Sequence, residues 1–216
     1  MTTCERQTGF TLIEVIVVLA VMGLLLGTAM PLAGAVVQAN RRQEAQDELA
    51  RIAEALDAYY FERAAFPASL QATDFLGVCL QPGPGDTVVF DPFGAGQTYV
   101  YAVNAAAGTA TVHSRGENGV DNGVNNEEHV VRVFGAVPGA RRTRQRLRVI
   151  VEVLANHIES GGAVAGTWPQ LRAAMGLGPT YDADGFGTTL RWTASTHTLE
   201  SAGPDRAFGT ADDIVL

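Results

Sequence analysis

The sequence predicts an α+β chain with a long N-terminal helix, transmembrane in its first half and amphipathic in its second. A small α+β unit follows, then a tandem second one. Three observations carry this. Between Val15 and Val37 stand 23 residues without a charge, which as a helix reach roughly 34 Å, enough for the roughly 30 Å hydrocarbon core of a bilayer. From Ala45 to Tyr59 apolar residues recur at helical spacing. Turn and strand signals that follow the first helix then return, in the same order, after a second.

The apolar stretch does not have the build of a secretory signal peptide. Such a peptide has a basic leader, a 7–15-residue apolar core and small residues at a cleavage site beyond it. Here the apolar run is longer, Ala33, Gly34 and Ala35 lie inside it, and the leader Met1 to Gly9 carries only Glu5 and Arg6. Glu14 stands out. A carboxylate in an apolar helix costs up to about 2.5–3.5 kcal/mol at mid-membrane on insertion scales, so it needs a partner, and its own stretch offers none.

Gly9-Phe10-Thr11-Leu12-Ile13-Glu14 resembles the prepilin processing motif of type IV pilins and type II secretion pseudopilins. Gly9 stands before the cut, Phe10 after it and Glu14 four residues on, and Pro31 falls where many pilin helices carry a kinking proline. The resemblance implies that a prepilin peptidase removes residues 1–9 and methylates the Phe10 amine, and that Glu14 meets the amine of a neighbouring subunit during filament assembly. It implies a single pass through the bacterial inner membrane, the globular part outside the cytoplasm, and partners that are copies of this chain or other pilins. An uncleaved signal anchor with a chance glutamate is the alternative.

Composition narrows the field. Net charge is −8 and all 15 basic residues are arginine, which argues against general nucleic-acid binding. Cys4 lies in the leader, so Cys79 alone would remain, and a mature chain has no intrachain disulfide. Cys79 reads as a small buried apolar residue.

In chain order, Ala45, Leu49, Ile52, Leu56 and Tyr59 mark one stripe of a helix running to about Arg63, with Arg41, Arg42, Glu44, Asp47, Glu48, Arg51 and Glu54 on its other faces. This helix continues the apolar one, at most kinked at Pro31, and Phe66-Pro67 ends it. In pilins such a stripe is buried against a small antiparallel sheet, and the resemblance implies the same here. Residues 68–85 read as a short helical piece and a Pro/Gly loop. Asp91-Pro92-Phe93-Gly94 fits a type I turn. Strands are predicted around Tyr99–Val103, Ala110–Ser114 and Val130–Phe134, with a polar loop from Ser114 to about Glu128. Pro138-Gly139 reads as punctuation before a second helix whose stripe is Leu147, Ile150, Leu154 and Ile158, reinforced by Val151 and stopped by Gly161-Gly162.

The first half is then repeated. Thr167-Trp168-Pro169 echoes Ala65-Phe66-Pro67, Asp184-Gly185-Phe186-Gly187 matches Asp91-Pro92-Phe93-Gly94, and Leu190-Arg191-Trp192 matches Tyr99-Val100-Tyr101. Residues 198–205 align without gaps on residues 111–118. The reading is a tandem duplication, with a leader at 1–9, an assembly helix at 10–37, a first unit at 38–137 and a second at 138–216.

These units resemble the globular domain of the major pseudopilin, which commonly has an Asp-Pro-Trp-Gly turn and a late Ser-x-Gly-x-Asp…Asp-x-Asp loop that holds calcium. On that resemblance Ser201, Asp205, Asp212 and Asp213 are the candidate calcium ligands, with Phe186 in place of the tryptophan. Calcium takes six to eight oxygens from carboxylates, carbonyls and water. The first copy of the loop (Ser114, Asn118, Asp121, Asn126, Glu127) has amides at two matched positions and is expected to bind weakly or not at all.

Arg141, Arg142, Arg144, Arg146 and Arg148 put five cations in eight residues. At a helix N-terminus they oppose the macrodipole, which suggests an external reason: acidic loops of a neighbour, or anionic headgroups. A solvated face is the simpler reading. No nucleophile elbow, His-Glu-x-x-His pair, P-loop or dinucleotide fingerprint occurs, and His113, His129, His157 and His197 lack ligand spacing and read as surface residues. The expectation is a structural filament subunit and not an enzyme. A minor or tip-like binding subunit, or a tethered binding protein that never polymerises, are the alternatives.

Overall fold

The computed structural model describes residues 11–123, 129–164 and 166–215, and for 26–33 the backbone alone. The chain divides into two compact units, Met1–Glu44 and Ala45–Leu216. One helix, α1 (Leu12–Arg63), enters both.

In the first unit the large apolar side chains of α1, from Leu12 to Leu25 and again at Val36 and Val37, are exposed. The backbone stays helical through Pro31. Gly9 and Phe10 lie outside the described residues. Among the described residues no helix is long and apolar enough to cross a membrane.

In the second unit the 3–4 spacing of α1 becomes packing. All five predicted stripe residues, Ala45, Leu49, Ile52, Leu56 and Tyr59, are buried. From Leu49 on, the stripe meets Leu70, Phe75, Leu80, Val89 and Tyr99, and Ala110, Val112 and Val133 of a three-stranded antiparallel sheet. Its strands are β1 (Val100–Asn104), β2 (Thr109–His113) and β3 (Val130–Phe134), in consecutive order. Tyr101 pairs with Val112 and Val112 with Val131, so the inward positions of all three strands stack on one face.

Residues 68–85 hold no helix. They form successive turns with an isolated bridge from Leu76 to Leu80. Single helical-type bonds occur, Leu76 N–H to Ala72 at 2.8 Å and Cys79 N–H to Phe75 at 2.8 Å. Gly77 at φ +80° interrupts them, because a left-handed residue cannot continue a right-handed helix. Fully buried Phe75 fixes the segment. Tyr59 hydroxyl donates to Asp74 at 2.7 Å, and Arg63 reaches the same carboxylate at 2.9 Å. Cys79 is only half-buried at the edge of this core.

The second half rebuilds the plan on a smaller scale. Helix α2 (Ala136–Glu159) starts before Pro138 and Gly139 and does not wait for them. A proline fits the first helical turn, where its missing N–H has no partner to lose. Gly139 is there for clearance, since a Cβ at this position would lie 2.2 Å from the Phe186 ring. Short α3 (Trp168–Ala174) begins at the echo of the aromatic-Pro pair, where the sequence reading predicts no helix. The side chains of Thr167 and Gln170 cap it reciprocally. Strands β4 (Arg191–Thr193), β5 (Thr198–Ser201) and β6 (Ile214–Val215) again form an antiparallel sheet in consecutive order.

Leu147 and Ile150 of α2, Trp168 and Leu171 of α3, and Leu190 and Leu199 make the second core. Val151 and Ile158, expected in the stripe, are 43% and 52% exposed. The three-residue β4 and two-residue β6 give too small a sheet to cover them.

Candidate functional site

Three places carry the predicted site residues. The first is the start of α1. Glu14 stands in its first turn, exposed, and its N–H donates to Thr11 at 3.0 Å. A carboxylate suits a helix N-terminus, so nothing local forces it to seek another partner within α1.

The second is a buried polar lock, present twice. Asp91 and Asp184 are almost fully buried. Asp91 accepts from Phe93 N–H at 3.1 Å, the Ser114 hydroxyl at 2.8 Å and Arg115 N–H at 2.7 Å. Asp184 accepts from Phe186 N–H at 2.9 Å, Thr188 N–H at 2.8 Å and the Ser201 hydroxyl at 2.7 Å. Each serine oxygen in turn takes the N–H of the glycine two residues on, Gly116 at 3.1 Å and Gly203 at 3.2 Å. A buried carboxylate is tolerable when its lone pairs are filled by hydrogen bonds. This lock ties the Asp-x-Phe-Gly turn to the end of the middle strand in each module. The sequence marks the turn and the Ser-x-Gly run separately. Only the fold brings Asp91 to Ser114, 23 residues away.

The third is the pair of acidic loops that follow the locks. In the second, Thr210 hydroxyl donates to Asp212 at 2.6 Å and Asp205 N–H reaches the same carboxylate at 3.2 Å. The Thr210 hydroxyl bond, ahead of other contributions, holds the Asp212 carboxyl below the usual range. Asp213 accepts from Gly209 N–H at 2.7 Å, and Asp205 from Ala207 N–H at 2.8 Å. Gly203, at φ +67°, lets the loop close, since a Cβ there would meet the Asp212 carbonyl oxygen at 2.4 Å.

The loop thus brings Asp205 and Asp212 together, turns Asp213 to Gly209, and has the Ser201 hydroxyl donating to Asp184. Among the described residues no group of three or more His, Cys, Asp or Glu side chains is arranged to hold a metal ion. In the first copy, Asn118 accepts from Val120 N–H at 2.8 Å, and Asp121 from Gly123 N–H at 3.0 Å. Asn126 and Glu127 lie outside the described residues.

Two readings of the sequence change. His113 is buried, not a surface histidine, and its Nε2 pairs with Asp121 at 3.0 Å. That bond, first among its causes, lowers the Asp121 carboxyl. His197 sits in the turn after β4, stacked on Trp192.

The arginine run is not simply a solvated face either. Arg141 pairs with Asp57 at 3.3 Å and stacks over the Phe61 ring at 4.8 Å. Arg146 donates to the carbonyls of Ala183 and Asp184. Arg142 and Arg146 line, with Phe61, Glu62 and Tyr181, a cleft of about 240 Å³ where α1 and the second module meet. Burial lowers the affinity of both guanidiniums for their protons, and in Arg146 the Arg142 charge adds to this. Gly135 seats the same junction against Tyr60, where a Cβ would come within 2.4 Å of the ring.

With this geometry in place, the comparisons with known proteins fall on the first part of the chain. Residues 5–30 match the family described as the prokaryotic N-terminal methylation motif. Residues 33–133 match the family described as type II secretion system (T2SS), protein G. The type II secretion system core protein G of Pseudomonas aeruginosa is 27% identical over 136 residues, 58% of this chain and 94% of that protein. No solved structure matches the chain. The resemblance carried by residues 9–14 and by the first globular unit is thereby shown. The protein G match ends at β3, so the second sheet and its helices lie beyond it.

Proposed function

We propose that this chain is a structural subunit of a type II secretion pseudopilus, or of a closely similar pilus-like filament, and not an enzyme. The observation that carries the reading is the adjacency of two matches: a methylation motif at 5–30, directly followed by a protein G segment at 33–133. A prepilin peptidase cuts between Gly9 and Phe10 and methylates the new amine. The uncharged stretch Val15–Val37 then holds the chain in the inner membrane, with the globular unit on the far side from the cytoplasm. In the filament the exposed apolar face of α1 packs on neighbouring helices. There packing between helices, rather than exclusion of water, holds them, and Glu14 selects the register by meeting a neighbour's N-terminal amine.

The second module favours one refinement. A head beyond the protein G segment adds bulk that an ordinary subunit lacks, which suits a minor or tip position. Shearing filaments from cells and probing for this chain separates the cases. Recovery along the filament supports a major subunit and recovery at ends a tip subunit. Absence from filaments, with the chain left in the membrane, contradicts assembly.

Calcium in the second acidic loop is part of this reading. Asp205 and Asp212 would share such an ion, with carbonyl oxygens and water making up the rest of its shell. When bound it would offset their mutual repulsion. Millimolar calcium is expected to raise the melting temperature of the full chain in nonionic detergent by a few degrees, which corresponds to roughly 1 kcal/mol. Asp212→Ala is expected to erase that gain. An unchanged melting curve would remove calcium from the account.

A further inference from the structure

Of the five arginines in the run of α2, Arg141 and Arg146 are bonded inside the molecule and Arg142 is partly buried in the cleft beside Glu62. Arg144 and Arg148 are both exposed, one turn apart on the same helix face, and neither has a hydrogen bond or ion pair among the described residues. Like charges at this spacing repel. The pair therefore weakens α2 as it stands.

Between them opens a groove of about 420 Å³, whose other walls are Leu147 and Val151 of α2 and Ile214 and Val215 of β6. Val151 and Val215 are exposed along it. Among the described residues no carboxylate lines it, although the chain as a whole carries −8. Glu152, next to Val151 on α2, stands exposed, and the two acidic side chains flanking the β6 wall are otherwise placed. Glu200, opposite Val215 in the sheet, is held by Arg191 at 2.5 Å, and Asp213, beside Ile214, accepts from Gly209. Strand β6 forms the edge of its sheet, and an edge strand offers backbone groups to an extended segment laid beside it.

From this juxtaposition we infer that the groove between α2 and β6 is a docking site for an extended acidic polypeptide segment, one that alternates carboxylates with aliphatic side chains. The aliphatic side chains enter between Val151 and Val215, and the carboxylates meet Arg144 and Arg148. Guanidinium forks suit carboxylates, and a pair flanked by apolar surface gains more than a fully solvated one. The groove lies entirely beyond the protein G segment, so the inference does not depend on the filament reading.

The test uses the full chain in nonionic detergent and a fluorescein-labelled eight-residue peptide of alternating glutamate and valine, followed by anisotropy. Saturable binding is expected. It should weaken at least tenfold in Arg144→Gln/Arg148→Gln and in Val151→Asp, and remain unchanged in Arg141→Gln. The double glutamine variant should melt no lower than the parent, because the removed charges were unfavourable to α2. Equal binding of a glutamine–valine peptide would overturn the inference, as would no effect of the double variant. Binding to phosphatidylglycerol vesicles through the same two arginines, with no peptide binding, would overturn it in favour of a membrane contact.

Discussion

Asp184→Ala lowers the stability of the full chain by about 3–5 kcal/mol, and Asp91→Ala does the same from the first module. Each change removes the acceptor for three hydrogen bonds in a buried site: two backbone N–H groups and a serine hydroxyl. A buried donor left without a partner costs about 1–3 kcal/mol, and such losses do not simply add. The cavity left by the carboxylate adds to the loss. Ser201→Ala removes two buried bonds of the lock, the donation to Asp184 and the acceptance from Gly203 N–H, and is expected to cost about 1–3 kcal/mol.

The check is urea denaturation in detergent, read by tryptophan fluorescence. Both tryptophans, Trp168 and Trp192, stand in the second module, so the signal reports Asp184→Ala directly. Residues 45–216 form one compact unit, and the Asp91→Ala midpoint should therefore shift in the same signal. A loss under 1 kcal/mol for Asp184→Ala would mean that the turn holds without its carboxylate.

Glu14→Ala leaves the chain cleaved and membrane-bound but reduces its recovery in sheared filaments by at least about tenfold. The reason is the one that made Glu14 conspicuous in the sequence. A carboxylate placed in an apolar helix costs up to about 2.5–3.5 kcal/mol unless compensated, and a tenfold change in association needs only about 1.4 kcal/mol. In the proposed filament the compensating cation would come from another subunit, so its loss would fall on assembly and not on insertion. Because Glu14 is exposed at the start of α1, the substitution should leave the melting of residues 45–216 unchanged. Undiminished filament recovery would remove Glu14 from the assembly contact.

Periodicity was the most legible signal. The stripe from Ala45 to Tyr59 is buried at every position, because one helix face against one sheet is a local pattern with a single solution. The strands β1 to β3 fall within a residue of their expected bounds for the same reason. The repeated order of turn and strand signals was legible, and the two sheets share their consecutive antiparallel order. What escaped were bonds between residues far apart in the chain. Asp91 and Asp184 are visible as turn residues, yet their carboxylates serve partners that only the closed sheet supplies.

Pro138-Gly139 carries the same ambiguity, since these residue types end helices and also begin them. The structure uses Pro138 in the first turn of α2 and Gly139 for the approach of Phe186. The arginine run could not be divided from sequence alone, because Asp57 and the carbonyls of 183 and 184 reach it through tertiary packing.

The most direct test of the central claim is the mass of the N-terminal peptide released from native membranes. A peptide that begins at N-methylated Phe10 is the expected result, and it would establish cleavage after Gly9 and set the chain on the path to a filament. A peptide that retains Met1 to Gly9 would contradict it, leaving a plain membrane anchor that carries two heads.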